Sequence, residues 1–145
     1  MDLSNLVTQN NAEEGKWFRV VLYGERQNFW LNLIGADSDR VQKHNREQFK
    51  KLKNAQNNKN NITDAVLDEM LDSGIDSIVL KINGICGGVL DEETGDYKMD
   101  KKEPVTILDR TLGNDETSYR FLLEKIPALK QFINEITNER SNFLD

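Results

Sequence analysis

Two runs rich in β-branched and aromatic residues stand four residues apart near the start of the chain: 16–23 (KWFRVVLY) and 28–34 (NFWLNLI), separated by Gly24-Glu25-Arg26-Gln27. That spacing predicts a β-hairpin. In the second run Phe29, Leu31 and Leu33 alternate with Trp30, Asn32 and Ile34, so one face is expected to be wholly apolar and the other mixed. An amphipathic hairpin must bury its apolar face, and the rest of the chain has to supply the cover.

Gly35-Ala36-Asp37-Ser38 ends the second strand and offers a helix cap, with Asp37 or Ser38 accepting the first free N–H groups. Residues 39–54 then read as a helix, mostly exposed, with Val41, Phe49 and Leu52 to one side. It carries Arg40, Lys43, Arg46, Lys50, Lys51 and Lys53 against only Asp39 and Glu47, with Asp37 just before it. Residues 54–61 (NAQNNKNN) read as a flexible connector. A helix is expected over 63–73, capped by Thr63, with Ile62, Val66, Leu67 and Met70 along one side and Gly74 at its end.

Residues 75–82 (IDSIVLKI) read as a strand, Asn83-Gly84 as a hairpin turn, and 85–90 (ICGGVL) as a partner strand weakened by Gly87 and Gly88. Residues 91–104 read as an exposed charged loop. A C-terminal helix should start at Asp115 or Thr117, with Tyr119, Leu122, Leu123, Ile126, Leu129, Ile133 and Ile136 on one broad face. Pro127 kinks that helix or starts another. The expected fold class is α+β: a small antiparallel sheet from strands near 16–23, 28–34, 75–82 and 85–90, packed by three main helices near 39–53, 63–73 and 116–138. Residues 1–15 are expected to form a flexible arm that docks through Leu3, Leu6 and Val7. Residues 16–145 are expected to form a single domain, with the connector at 54–61 and a C-terminal helical segment at 116–140.

Composition narrows the function. The chain has 145 residues, a net charge of −6 and 37% apolar residues, which suits one domain with a modest core. An acidic chain repels nucleic-acid phosphates unless a basic patch is segregated. The lone cysteine, Cys86, excludes an internal disulfide and fits a reducing compartment. The start lacks the pattern of a signal peptide, and no apolar run is long enough to span a membrane. The chain is expected to be cytoplasmic where it is made.

No catalytic constellation emerges. The glycine-rich stretch 83–88 is not followed by a helix, as a phosphate loop would require. Cys86 and His44 are the only residues of their kinds; without an orienting group they do not make a nucleophile–base pair, and they cannot complete a zinc site. The acidic stretch 91–96 lacks the alternating ligands of a calcium loop. No metal, cofactor or catalytic residue is expected.

The remaining signals concern partners. The basic helix 39–53 is the one nucleic-acid candidate. It has few aromatics, and the whole-chain charge opposes that use. Its other readings are a solvated helix or a positive face that docks an acidic partner helix. Phe121 and Phe132 fall roughly opposite the main apolar stripe if the C-terminal helix runs on past Pro127. Either they form a second, partner-binding face, or the helix is buried on two sides or rotated at Pro127 so that they join the core.

Two stretches carry a resemblance. Residues 29–40 (FWLNLIGADSDR), followed by a basic, glutamine-bearing helix, and the ending 126–144 (IPALKQFINEITNERSNFL) resemble the tail assembly chaperones of long-tailed bacteriophages. In that family a strand ends in Leu-x-Gly-x-Asp-Ser before a polar helix, and the last helix closes with Arg-x-Asn-Phe-Leu. Here these are Leu33 to Ser38 and Arg140 to Leu144. The long stretch 91–114 and the Asn-rich connector depart from the family pattern. The resemblance implies a non-enzymatic protein without cofactors. It would bind the tape-measure protein, keep it soluble, and leave as tail-tube subunits polymerise around that client. It further implies that a frameshifted form of such a protein can recruit tail tube protein. No membrane or nucleic-acid partner is implied, and self-association is left open. The candidate contact residues are Arg40, Lys43, Arg46, Lys50, Phe121, Phe132 and Phe143. The alternative function is a structural virion protein of the tail, neck or head–tail connector.

Overall fold

The computed structural model describes residue 3 and residues 13–57 and 74–144. The fold is α+β, with a four-stranded antiparallel sheet and three main helices. Strand β1 (Lys16–Leu22) and strand β2 (Glu25–Leu33) form the expected hairpin. Helix α1 follows (Asp39–Asn57), then β3 (Ile82–Asp91) and β4 (Asp96–Met99), which complete the sheet in the order β1-β2-β3-β4. A separate small hairpin joins β5 (Val105–Ile107) to β6 (Arg110–Leu112). Helices α2 (Glu116–Lys125) and α3 (Ala128–Asn138) and a 3-10 turn (Arg140–Phe143) close the chain.

The alternation in the first two strands sorts as the sequence implies. Val20 and Leu22 join Leu31, Leu33 and Ile85 in the core, where Tyr119, Leu122, Leu123, Leu129 and Ile133 of the C-terminal helices cover them. The opposite face carries Trp30 and Cys86, paired across β2 and β3, and Arg19, paired with Trp30 across β1 and β2. The Arg19 guanidinium lies over the Trp30 ring at 5.1 Å and makes two bonds to Asp96, at 2.9 and 3.0 Å.

Residues 74–79 are helical, where the sequence suggested a strand over 75–82. Ile75, Ile78 and Val79 follow the i, i+3, i+4 spacing of a helix face, and Ile78 and Val79 are buried. Their β-branched character favoured a strand, but burial against the core prevails over that preference. Asn83-Gly84 is therefore no turn and lies inside β3. The glycines make room for tryptophans. A Cβ at Gly84 would sit 3.1 Å from the Trp17 ring, and one at Gly88 would sit 2.5 Å from that of Trp30. The turn falls instead between β3 and β4, where Gly95 takes a φ of 73°. The stretch 91–104 is consequently half hairpin.

Helix α1 runs on to Asn57, into the tract expected as a connector, because nothing there is a glycine or a proline to stop it. Residues 58–61 of that connector and the helix expected over 63–73 lie outside the described residues, as do Leu6 and Val7 of the expected arm; Leu3 is exposed.

The C-terminal helix breaks at Pro127, which stands at the start of α3. Asp115 caps α2 by accepting from the Ser118 N–H at 2.8 Å. Beyond α3, the chain end closes on the turn that launches α1. The Ala36 N–H donates to the Thr137 carbonyl at 3.0 Å, and the Arg140 Nε donates to Asp37 at 2.8 Å. Asn142 caps the Ile136 carbonyl at 3.0 Å. Phe143 is 1% exposed and meets Phe18 edge to face at 5.7 Å. Lys16 reaches the Leu144 carbonyl at 2.6 Å.

Phe143→Ala should destabilise the domain by about 3–5 kcal/mol, the range for emptying a buried aromatic site, read as a lower urea midpoint. The Arg19 guanidinium and the Tyr97 N–H hold the Asp96 carboxyl down at about 2. A carboxyl depressed in the folded state stabilises above its ordinary value of about 3.9 and loses that contribution as pH falls through the folded value. The urea midpoints of the parent and Asp96→Asn should therefore differ by a constant amount above about pH 5 and converge between about pH 4 and pH 2.

Candidate partner-binding surface

Ser38 fixes the root of α1. It is 1% exposed, and its Oγ accepts from the Val41 N–H at 3.3 Å. Its carbonyl accepts from the Gln42 N–H at 3.0 Å. The Gln42 side chain returns to the Ala36 carbonyl at 2.8 Å. Past this root the helix leaves the body. Val41 is buried, His44 and Gln48 are half-buried, and the other side chains from Asp39 to Asn54 are exposed. At about 1.5 Å per residue, its 19 residues extend about 28 Å.

The exposed length combines charge with apolar surface. Phe49 is 68% exposed and Leu52 39% exposed. Phe49 sits in a shallow hollow with Gln42, Asn45, Arg46 and Lys50. Lys43 points to solvent in the same stretch, and six basic residues face two acidic ones between Asp39 and Asn54. Solvated helices of this kind usually present only polar side chains outward. A large aromatic left in water amid cations is the pattern of a surface that an amphipathic, acidic segment can cover.

Arg40, Lys43, Arg46 and Lys50 are thus placed on one exposed helix. Arg40 is turned toward a cleft of about 440 Å³ at the root, lined by Arg40, His44, Asp76, Val79, Leu80, Ile82, Glu116, Tyr119 and Arg120. The three aromatics chosen from the C-terminal region fare differently. Phe143 is core and cannot meet a partner while the domain is folded. Phe121 is half-buried against the core and lies beneath the Arg110 guanidinium at 4.4 Å. Phe132, also half-buried, lines a groove with Val21, Tyr23, Ala128, Gln131 and Glu135. The break at Pro127 brings both phenylalanines to the core margin, so they do not form one exposed second face. The cleft residues Asp76, Tyr119 and Arg120 were not singled out from the sequence; only the i, i+4 spacing of Arg40 and His44 hints at it.

Two buried groups carry chemistry of their own. Lys81 is 8% exposed, donates to the Asn134 Oδ1 at 3.2 Å, and its pKa is pushed down by burial. Cys86 is 1% exposed, and burial pushes its thiol up, which suppresses the reactive thiolate. Among the described residues no group of three His, Cys, Asp or Glu side chains is placed to hold a metal ion, and no helix is long and apolar enough to cross a membrane. No known protein family, curated protein or solved structure matches this chain.

Replacing Phe49 and Leu52 together with serine should leave the melting temperature within about 2 °C of the parent, since exposed positions away from packing contribute within about 0.5 kcal/mol. Circular dichroism melts check this; a large drop would mean that both side chains are packed in the folded protein.

Proposed function

We propose that this protein is a tail assembly chaperone of long-tailed bacteriophages, which holds the tape-measure protein in solution by lending it the surface of α1. The observation that carries this reading is the projecting cationic helix with Phe49 and Leu52 left in water. An aggregation-prone helical client has an apolar stripe to hide, and a stripe flanked by acids would find both apolar contact and opposite charge there. The contact need not be tight, because a chaperone must release its client as the tail tube grows. A few anchors on one helix give a small interface of the weak, transient kind.

The sequence resemblance supports the same reading through its two most telling parts. The Gly35-Ala36-Asp37-Ser38 turn and the Arg140 to Leu144 ending stand about one hundred residues apart in the chain, yet they bond to each other. Together they anchor the root of the helix that presents the surface.

Co-expression with the tape-measure protein of the same phage should raise that client's soluble yield severalfold, and the Phe49→Ser, Leu52→Ser double variant should lose most of the gain. Mass spectrometry of purified particles should find the protein absent or scarce. Unchanged client aggregation together with stoichiometric presence in particles would instead favour the structural virion reading.

A further inference from the structure

We propose that the cleft at the root of α1 is a carboxylate-binding site, built from Arg40 and His44 on α1 and from Asp76, Glu116, Tyr119 and Arg120 opposite. Arg40 and His44 are one helical turn apart and share a face, and both line the cleft. The Arg120 guanidinium is engaged: it bonds Asp76 and also Glu116, the latter at 3.0 Å. Arg40 has no ion-pair partner among the described residues, so its planar fork is available to a carboxylate. The His44 Nε2 is shielded from solvent and has no hydrogen-bond partner among the described residues. A polar atom in that state is destabilising, and a ligand oxygen accepting from it removes the cost.

The charge balance selects the class of anion. Arg40 and Arg120 offset Asp76 and Glu116, which leaves the Arg40 guanidinium and the His44 Nε2 to meet one carboxylate. One monoanionic head is matched; a phosphate dianion would meet Asp76 and Glu116 with too much negative charge. The cleft is roomy enough for a side chain or a small organic acid. The carboxylate can come from an Asp or Glu side chain of a docked protein or from a free small carboxylic acid. This inference stands apart from the chaperone reading, because it rests on the cleft and not on the exposed length of α1.

A bound carboxylate accepts from the His44 Nε2–H and from the Arg40 guanidinium, so binding should change the surroundings of the His44 ring directly. The groups facing His44 are Arg40 on its own helix, Asp76 from the stretch before β3, and Glu116, Tyr119 and Arg120 from α2. His44 is the only histidine in the chain, so its imidazole C–H resonance can be read in proton NMR without further assignment. At one fixed pH the full chain is titrated with sodium chloride, with acetate at equal ionic strength, and with a synthetic amphipathic peptide rich in glutamate. We expect the His44 resonances to move saturably in at least one carboxylate arm and not in sodium chloride. Arg40→Gln should weaken the effect about threefold or more. Acting at much lower concentration, the peptide would identify a protein side chain as the source; the reverse ranking would identify a free acid. Resonances that move no more in either carboxylate arm than in sodium chloride, or an equal apparent affinity in Arg40→Gln, overturn the proposal.

Discussion

The contact on which the structure depends is the closure of the chain end over the turn between β2 and α1. The Ala36 N–H bonds the Thr137 carbonyl at 3.0 Å across that closure, and the Ile34 N–H bonds the Lys81 carbonyl at 2.8 Å, tying the same turn to the stretch before β3. Each contributes about 1 kcal/mol net, and each would cost more if left unmade in a buried place. Phe143 then fills the gap beside Phe18, burying a whole aromatic ring, worth roughly 1.5–3 kcal/mol. The Arg140–Asp37 pair contributes least, since the Arg140 side chain is 72% exposed and water screens the attraction. It sets direction more than strength. The closure is therefore a packing event, guided by polar groups that allow only one registration.

That closure has a mechanical consequence. It fixes Asp37 and Ser38, and Ser38 fixes the first turn of α1. Whatever the outer length of α1 touches, its root is held to the sheet and to α3 at once. A surface helix without such a root would sweep through many orientations and would lose conformational entropy on each encounter with a partner. Here that loss is already met by the fold, while the exposed side chains stay free to adapt. Rigid base and adaptable face suit the proposed role, in which an amphipathic segment would be recognised and then released.

The apolar alternation of β2, the cap at Ser38, the start of α2 at Asp115 and the break at Pro127 were all legible from residue order. Each depends on neighbours within a turn or two. The stretch 75–82 was misread because a run of Ile and Val satisfies both periods when it is short; only its position under the core settles which one applies. Asn83-Gly84 was misread for a related reason. A glycine needed to clear a tryptophan from another strand is indistinguishable, in sequence, from a glycine needed for a turn. Phe143 looked like a free aromatic near a chain end, and nothing local announced Phe18 as its partner.

By itself, then, the order of residues determined the class of fold, the hairpin with its two unlike faces, and a cationic helix set in an acidic chain. These follow from short-range periodicity, capping chemistry and the count of charges, all of which act along the chain. Only the tertiary structure decided which aromatics are core and which stand in water, and that the turn at Asp37 and the ending at Arg140 are one contact. It also gathered Arg40, His44, Asp76 and Arg120 around one cleft. Those outcomes depend on distances between segments far apart in sequence, and such distances exist only once burial of the apolar face has drawn the segments together.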